Sequence, residues 1–287
     1  MNDLATDAAE ATPGPTVWTE HESWTDRAPR SVAMAAIFVA FVSLWQLIHG
    51  LELVSNIILP SPWETAQELV VVGQGLLTGG YLLAAFWITT QEVLLGFLIA
   101  TTVGFLLGVL VGETALGERA VLPYLVAIDT MPKVAFAPLF ISWLGFGIAS
   151  KVALAAFVAT FPVVVGTAAG LHAADENARM LFRTMGASRV QTLVKLKIPT
   201  GLPHIFTGLK IAAIGVVAGA ITAEFLGGGT GMGHLIRTAA SQLDTPRVFA
   251  LILYLSVLGL ATFWSVVWLQ RRLVFWHKTT GRQDQVG

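Results

Sequence analysis

Asp129 and Lys133 stand four residues apart inside the apolar stretch VLPYLVAIDTMPKVAFAPLFISW, and Glu224 stands in ITAEFLGGGTGMGHLI. A spacing of four puts the first two on one helical face, where each neutralises the other. At about 1.5 Å per residue, Lys133 lies about 18 Å from residue 121, near the middle of a membrane-crossing helix, where an ionisable group is costly. Two readings fit: a segment that lines a polar path, or a self-neutralised pair that fixes a kink. Pro123, Pro132 and Pro138 each lack a backbone donor, so the segment is predicted to be kinked or broken, with neighbours satisfying the freed carbonyls. Glu224 lies about 30 Å along its helix from residue 205. Five glycines follow it, Gly227 and Gly231 among them, and such a run can form a hinge or a re-entrant turn. It reads either as a gate element or as an outer loop with an interfacial carboxylate.

Other chemistry has little to rest on. No GxxxxGK[ST] phosphate loop occurs. The six histidines show no HExxH or other metal-ligand spacing. No serine, histidine and acid constellation is readable, and the absence of cysteine excludes disulfides and thiolate chemistry. The run GGGTGMG follows an apolar helix rather than a strand, which sets it apart from dinucleotide loops. No catalytic residue, metal ligand, cofactor or nucleic-acid partner is expected.

The elements that must position these residues are membrane helices. The 287 residues are 55% hydrophobic and 12% charged, with mean hydropathy +0.71, far from the quarter-charged make-up of soluble domains. Runs long enough to cross about 30 Å of hydrocarbon fall at about 31–49, 91–111, 121–143, 151–171, 205–226 and 247–270. The expected fold class is therefore all-α, a polytopic membrane protein with six spans and both termini on one side. Residues 1–30 read as a disordered tail, 31–275 as the membrane domain and 276–287 as a second tail.

Basic residues orient the spans. With the tails inside, the inner set is Arg27, Arg30, Arg119, Arg179, Arg183, Arg189, Lys195, Lys197, Arg271, Arg272, Lys278 and Arg282; the outer set is Lys151, Arg237 and Arg247. That excess predicts cytoplasmic termini. Trp45 and Trp143 near outer ends, and Trp264, Trp268 and Trp276 at the inner end of the last span, fit interfacial belts. Outside, LPSPWE offers Ser61 as a cap, Pro62 as the first helical residue and Glu64 to close a capping box on a surface helix. DTPR repeats the pattern, with Thr245 as cap and Pro246 first. Gly104, Gly108 and Gly112 line one face of the second span, where small residues let helices approach closely. No internal repeat is found, which weighs against repeat-built secondary carriers.

The cytoplasmic segment 173–203 is amphipathic. Ala178, Leu181, Phe182 and Met185 follow helical spacing. Gly186 breaks that helix, Ser188 and Gln191 open another as a capping box, and Val190, Leu193 and Val194 share its apolar face. Pro199 and Pro203 are expected to end the element before the next span. Two short helices joined at a glycine suit docking on a soluble partner; a loop lying on lipid headgroups is the other reading.

At this point the sequence resembles the permease subunits of ABC importers, the binding-protein-dependent type I transporters. Their signature is a cytoplasmic loop with E-A-A, three residues, G, nine residues, then I-x-L-P. Aligned on Gly186, this chain has Leu196, Ile198 and Pro199 at the last positions, and Met180, Leu181 and Phe182 in place of E-A-A. LPSPWET, MPKVAFAPLFISWLGFGIASKV, RTMGAS (with Ala187 and Ser188) and AEFLGGGTGMG, over roughly residues 55–270, resemble the branch serving nitrate, sulfonate, taurine and related small anions, which also includes permeases for pyrimidine-type vitamin precursors.

The resemblance implies the type I importer permease fold in the inner membrane of a prokaryote and no enzymatic activity in this chain. It implies two such permeases side by side, here as a homodimer, with an ABC ATPase on each 173–203 loop and an extracytoplasmic solute-binding protein outside. Leu181, Phe182, Met185, Gly186, Ala187, Ser188, Val190, Leu193 and Pro199 would form the ATPase contact, more apolar than the family's usual one. Asp129, Pro132, Lys133, Pro138, Glu224, Gly227 and Gly231 would line or gate the path of a small, anionic solute. The rival from another class is an ion-coupled carrier or channel using Asp129, Lys133 and Glu224.

Overall fold

The structure, a computed structural model, describes residues 29–227 and 229–276. The two expected tails, apart from residues 29, 30 and 276, and Gly228 lie outside them. Among the described residues, those up to Leu53 form one unit, whose helix is α1 (Arg30–Gly50). The second unit begins at Val54.

In the second unit, α2 (Pro62–Thr78) starts where the sequence places it. Ser61 Oγ accepts from the Glu64 N–H (3.1 Å) and Glu64 Oε2 accepts from the Ser61 N–H (2.9 Å). The long helix α3 (Tyr81–Glu113) follows. It begins ten residues before the expected span at 91–111, because Thr89, Thr90, Gln91 and Glu92 interrupt the apolar run without interrupting the helix.

The third span is broken. A π-helical turn (Gly117–Val121) leads into α4 (Leu122–Thr130), and a 3-10 turn (Lys133–Phe136) leads into α5 (Ala137–Leu144). The two halves meet at 93°. Pro132 sits at the break with extended backbone, while Pro123 and Pro138 follow directly on the π-turn and the 3-10 turn, where the hydrogen-bond pattern changes.

Helix α6 (Ile148–His172) runs continuously through Pro162. Two short pieces, α7 (Glu176–Thr184) and α8 (Arg189–Thr192), then a second π-turn (Leu193–Lys197), lead into α9 (Ile198–Gly227). Pro199 and Pro203 do not separate the docking segment from the span as expected. Pro199 follows directly on the π-turn, where the hydrogen-bond pattern shifts and its missing N–H is absorbed, and Pro203 is carried inside the helix.

The chain closes with α10 (Met232–Ser241) and α11 (Thr245–Leu273). The cap of α11 is Asp244, whose Oδ1 accepts from the Arg247 N–H (3.3 Å), rather than Thr245. Thr245 is the first helical residue, and its hydroxyl donates instead to the Ile57 carbonyl. Among the described residues, five helices are long and apolar enough to cross a membrane, or six with the broken pair taken as one span. No strand occurs among the described residues.

Helices α3, α6 and α9 make the core because small residues line their contacts. A Cβ at Gly104 would lie 2.7 Å from Val163 Cβ, and one at Gly108 would lie 2.8 Å from the Val164 carbonyl oxygen. Where α6 crosses α9, Gly170 and Gly201 meet backbone to backbone: a Cβ on Gly201 would sit 2.6 Å from the Gly170 carbonyl. Ala155, Ala156, Ala159, Ala212, Val216 and Ala220 fill the same seam. The opposite face of α3 exposes Leu94, Leu95, Leu98 and Leu106. This is how a helix reads when one side meets protein and the other meets lipid.

Candidate functional site: a buried polar cluster and an exposed docking element

Glu224 lies in the last turn of α9, inside the protein. Its side chain is fully buried, so the reading of it as an interfacial carboxylate on an outer loop is wrong. Turning back after α9 brings the start of α10 onto the carboxylate: Gly233 donates its N–H to Oε2. Thr89, one turn before Glu92 on α3, donates its hydroxyl to Oε1 at 2.6 Å and accepts the Met232 N–H at 2.9 Å. A carboxylate at a helix start is favoured by the dipole as well as by the free N–H groups. Gly231 makes this approach available. Its φ is +126°, and a Cβ there would collide with the Glu224 carboxylate.

Two more ionisable groups join the cluster. Lys151, in the first turn of α6, donates from Nζ to the Thr230 carbonyl at 2.6 Å and lies 3.3 Å from Glu92 Oε1. Lys151 and Glu92 side chains are 4% and 0% exposed. Burial of charge is tolerated only with partners, so the lysine both neutralises Glu92 and ties down the glycine-rich turn. Three helices and that turn are thereby joined at one end of the core.

Sequence reasoning counted Lys151 among the outer-surface bases and passed over Glu92 and Thr89. A pair of opposite charges, each alone in an otherwise apolar helix, was the available signal. Gly227, at the end of α9, packs on α5, where a Cβ would come 3.3 Å from Ile141 Cδ1.

Asp129 and Lys133 form an ion pair of 2.6 Å that spans the 93° break, each about a quarter exposed. Pro132 lies between them and Pro138 on the far side, both exposed. No hydrogen bond or ion pair among the described residues links this pair to Glu224, so the sequence candidates fall into two groups.

At the other end of the core lies the amphipathic segment. Asp175 caps α7 by accepting the Ala178 N–H at 3.2 Å. Ser188 and Gln191 form a capping box on α8. Between them Gly186 has φ +74°, and a Cβ there would meet nothing within 4 Å. Leu181 (57%), Met185 (74%) and Val190 (68%) are exposed, together with Met180 and Val194. Ser188 is exposed as well, whereas Phe182, Ala187, Leu193 and Pro199 are half-buried. Five exposed apolar side chains around one turn make a patch that asks for a covering partner. No group of His, Asp or Glu side chains able to hold a metal ion occurs among the described residues.

Comparison with known proteins adds independent findings. The profile of the family described as binding-protein-dependent transport system inner membrane component matches residues 100–275. The chain is similar to the formylaminopyrimidine transport permease protein ThiX of Halalkalibacterium halodurans, with 34% identity over 252 residues that cover 88% of this chain and 98% of that protein. It is also similar to SsuC of Bacillus subtilis, a permease protein named for aliphatic sulfonates transport, with 32% identity over 238 residues covering 83% and 85%. Its fold resembles a solved structure of the MetNI methionine ABC transporter in inward-facing conformations, with TM-score 0.59 and 17% identity, over 67% of this chain and 96% of that chain.

Proposed function

The chain belongs to the family of binding-protein-dependent transport system inner membrane components, a transport rather than an enzyme family with the type I ABC importer permease fold, and on that premise we propose that it forms half of an ATP-driven import pathway. In this reading the chain itself catalyses no reaction. A cytoplasmic ABC ATPase docks on segment 173–203, an extracytoplasmic binding protein delivers the solute, and a second copy of the chain completes the path. In this reading both termini are cytoplasmic, which the excess of basic residues on that side supports.

The observation that carries the proposal is the exposed apolar patch around Gly186. No described residue covers it, and its second helix runs without a break into α9, so a force applied there reaches the Glu224 cluster along one helix. Uptake by vesicles holding the permease with its ATPase and binding protein tests the reading. It should require ATP and survive collapse of the proton gradient. Uptake that persists without ATP and stops when the gradient collapses would identify an ion-coupled carrier instead.

The solute is a small anion in this proposal. Lys133 is the support: it is a quarter exposed, beside the break in the third span, and Asp129 holds its ammonium group until a stronger anion arrives. Lys133→Met should weaken uptake of a sulfonate about tenfold, corresponding to about 1.4 kcal/mol of lost interaction, with complex assembly unchanged. The similarity to ThiX supports a second reading, a pyrimidine-type solute. There Lys133→Met would leave uptake of a neutral formylaminopyrimidine intact.

A further inference from the structure

Five bases lie in the docking segment: Arg179, Arg183, Arg189, Lys195 and Lys197. Among the described residues only Lys197 forms an ion pair. Its Nζ lies 2.7 Å from Glu113 Oε1, with the two side chains 15% and 22% exposed. Glu113 is the last residue of α3. A carboxylate there faces the negative end of the helix dipole, so local helix stability does not explain it.

Lys197 is equally particular in its placement. It closes the π-turn Leu193–Lys197, whose extra residue rotates the docking helix by about 100° relative to α9. One turn further on, Gly201 is held against Gly170 of α6. The junction between docking segment and span is thus fixed to α6 by backbone contact and to α3 by the ion pair.

We propose that the Glu113–Lys197 pair is a positioning contact for coupling, which makes α3 follow the docking segment when the ATPase moves it. The proposal rests on the reading of 173–203 as the ATPase-docking segment. Without the pair, α9 still moves with the docking helices and α3 keeps its glycine-lined packing on α6, but the direct link from the docking segment to α3 is lost. Thr89 of α3 donates to Glu224, so the buried cluster then receives the motion directly through α9 and only by way of α6 on its α3 side. The pair is partly buried but still reaches water, so its contribution to folding stability is modest, and its loss should show mainly in coupling.

The test uses the complete transporter in vesicles and measures ATP hydrolysed per solute imported, per assembled complex, for wild type, Glu113→Gln, Lys197→Met and the exchanged pair E113K/K197E. The single variants should raise that ratio about fivefold, the lower end of ordinary coupling between sites. The exchanged pair should restore it to near the wild-type value, and the thermal unfolding midpoint should stay the same throughout. A wild-type ratio in the single variants overturns the proposal. So do fewer assembled complexes that work normally, since this is what a purely structural contact would give, and so does an exchanged pair that fails to restore coupling. Wild-type uptake without any need for ATP would instead overturn the transport reading on which the inference rests.

Discussion

Replacing Lys151 by methionine is expected to cost about 3–5 kcal/mol of stability, the usual result of leaving a buried charge without its partner. Glu92 is fully buried, neither of its carboxylate oxygens has a hydrogen-bond partner, and the other ionisable group beside it, the Glu224 carboxyl, is of the same kind, so no second cation can take over from the lysine. Methionine keeps the length and apolar character of the lysine stem while removing the ammonium, which isolates the electrostatic part of the loss. The double variant Glu92→Gln, Lys151→Met should recover most of it, because both charges leave together. Thermal unfolding of the purified permease gives the comparison. A Lys151→Met protein as stable as wild type would show that Glu92 does not depend on this lysine. The same substitution removes the donor to the Thr230 carbonyl. Proteolysis within the glycine-rich turn should therefore become faster even where the rest of the bundle stays folded.

Replacing Gly186 by valine should nearly abolish coupled uptake while changing the stability of the spans by no more than about 1–2 kcal/mol, the cost of a left-handed backbone for a residue with a Cβ. The geometry separates two causes. The positive φ of 74° penalises valine within the chain, yet no atom of the chain lies within 4 Å of the added Cβ. Asparagine tolerates that backbone conformation but still adds bulk. Loss of uptake with both valine and asparagine would assign the need for glycine to a partner surface pressed against the turn. Recovery with asparagine would assign it to backbone conformation, and undiminished uptake with valine would remove Gly186 from the docking site.

Local patterns were legible in the sequence and distant partnerships were not. The capping boxes at Ser61 and Ser188 depend on a residue three positions away, and both form. Pro132 marks a break because a missing donor acts within one turn. The glycine face of the second span also follows from spacing alone, although spacing does not say that α6 is its partner. Glu92 and Lys151 are different. Each looks like an interruption in an apolar run, and only the fold, by bringing residues 59 positions apart into an ion pair, turns two costly groups into one tolerable one. Glu224 was singled out for its place before the glycines, but its hydrogen-bond partner Thr89 lies 135 positions away. The cap of α11 was missed by a single residue because Asp244 and Thr245 are both capping types, and the claim of the Ile57 carbonyl on Thr245 is a tertiary fact.

The unbroken helical run from Arg189 to Gly227 has 39 residues, about 58 Å at the usual rise. Such a rod works as a lever with its pivot at the glycine contacts with α6. A rocking of about 5° around its middle would carry each tip about 2.5 Å sideways, given that length. Hydrogen bonds are lost over a smaller displacement than this. A tilt too small to disturb the packing at the fulcrum would therefore suffice to unseat Glu224 from Thr89 and Gly233, and the glycine-rich turn would open or close in step with a barely visible movement at the far end of the rod.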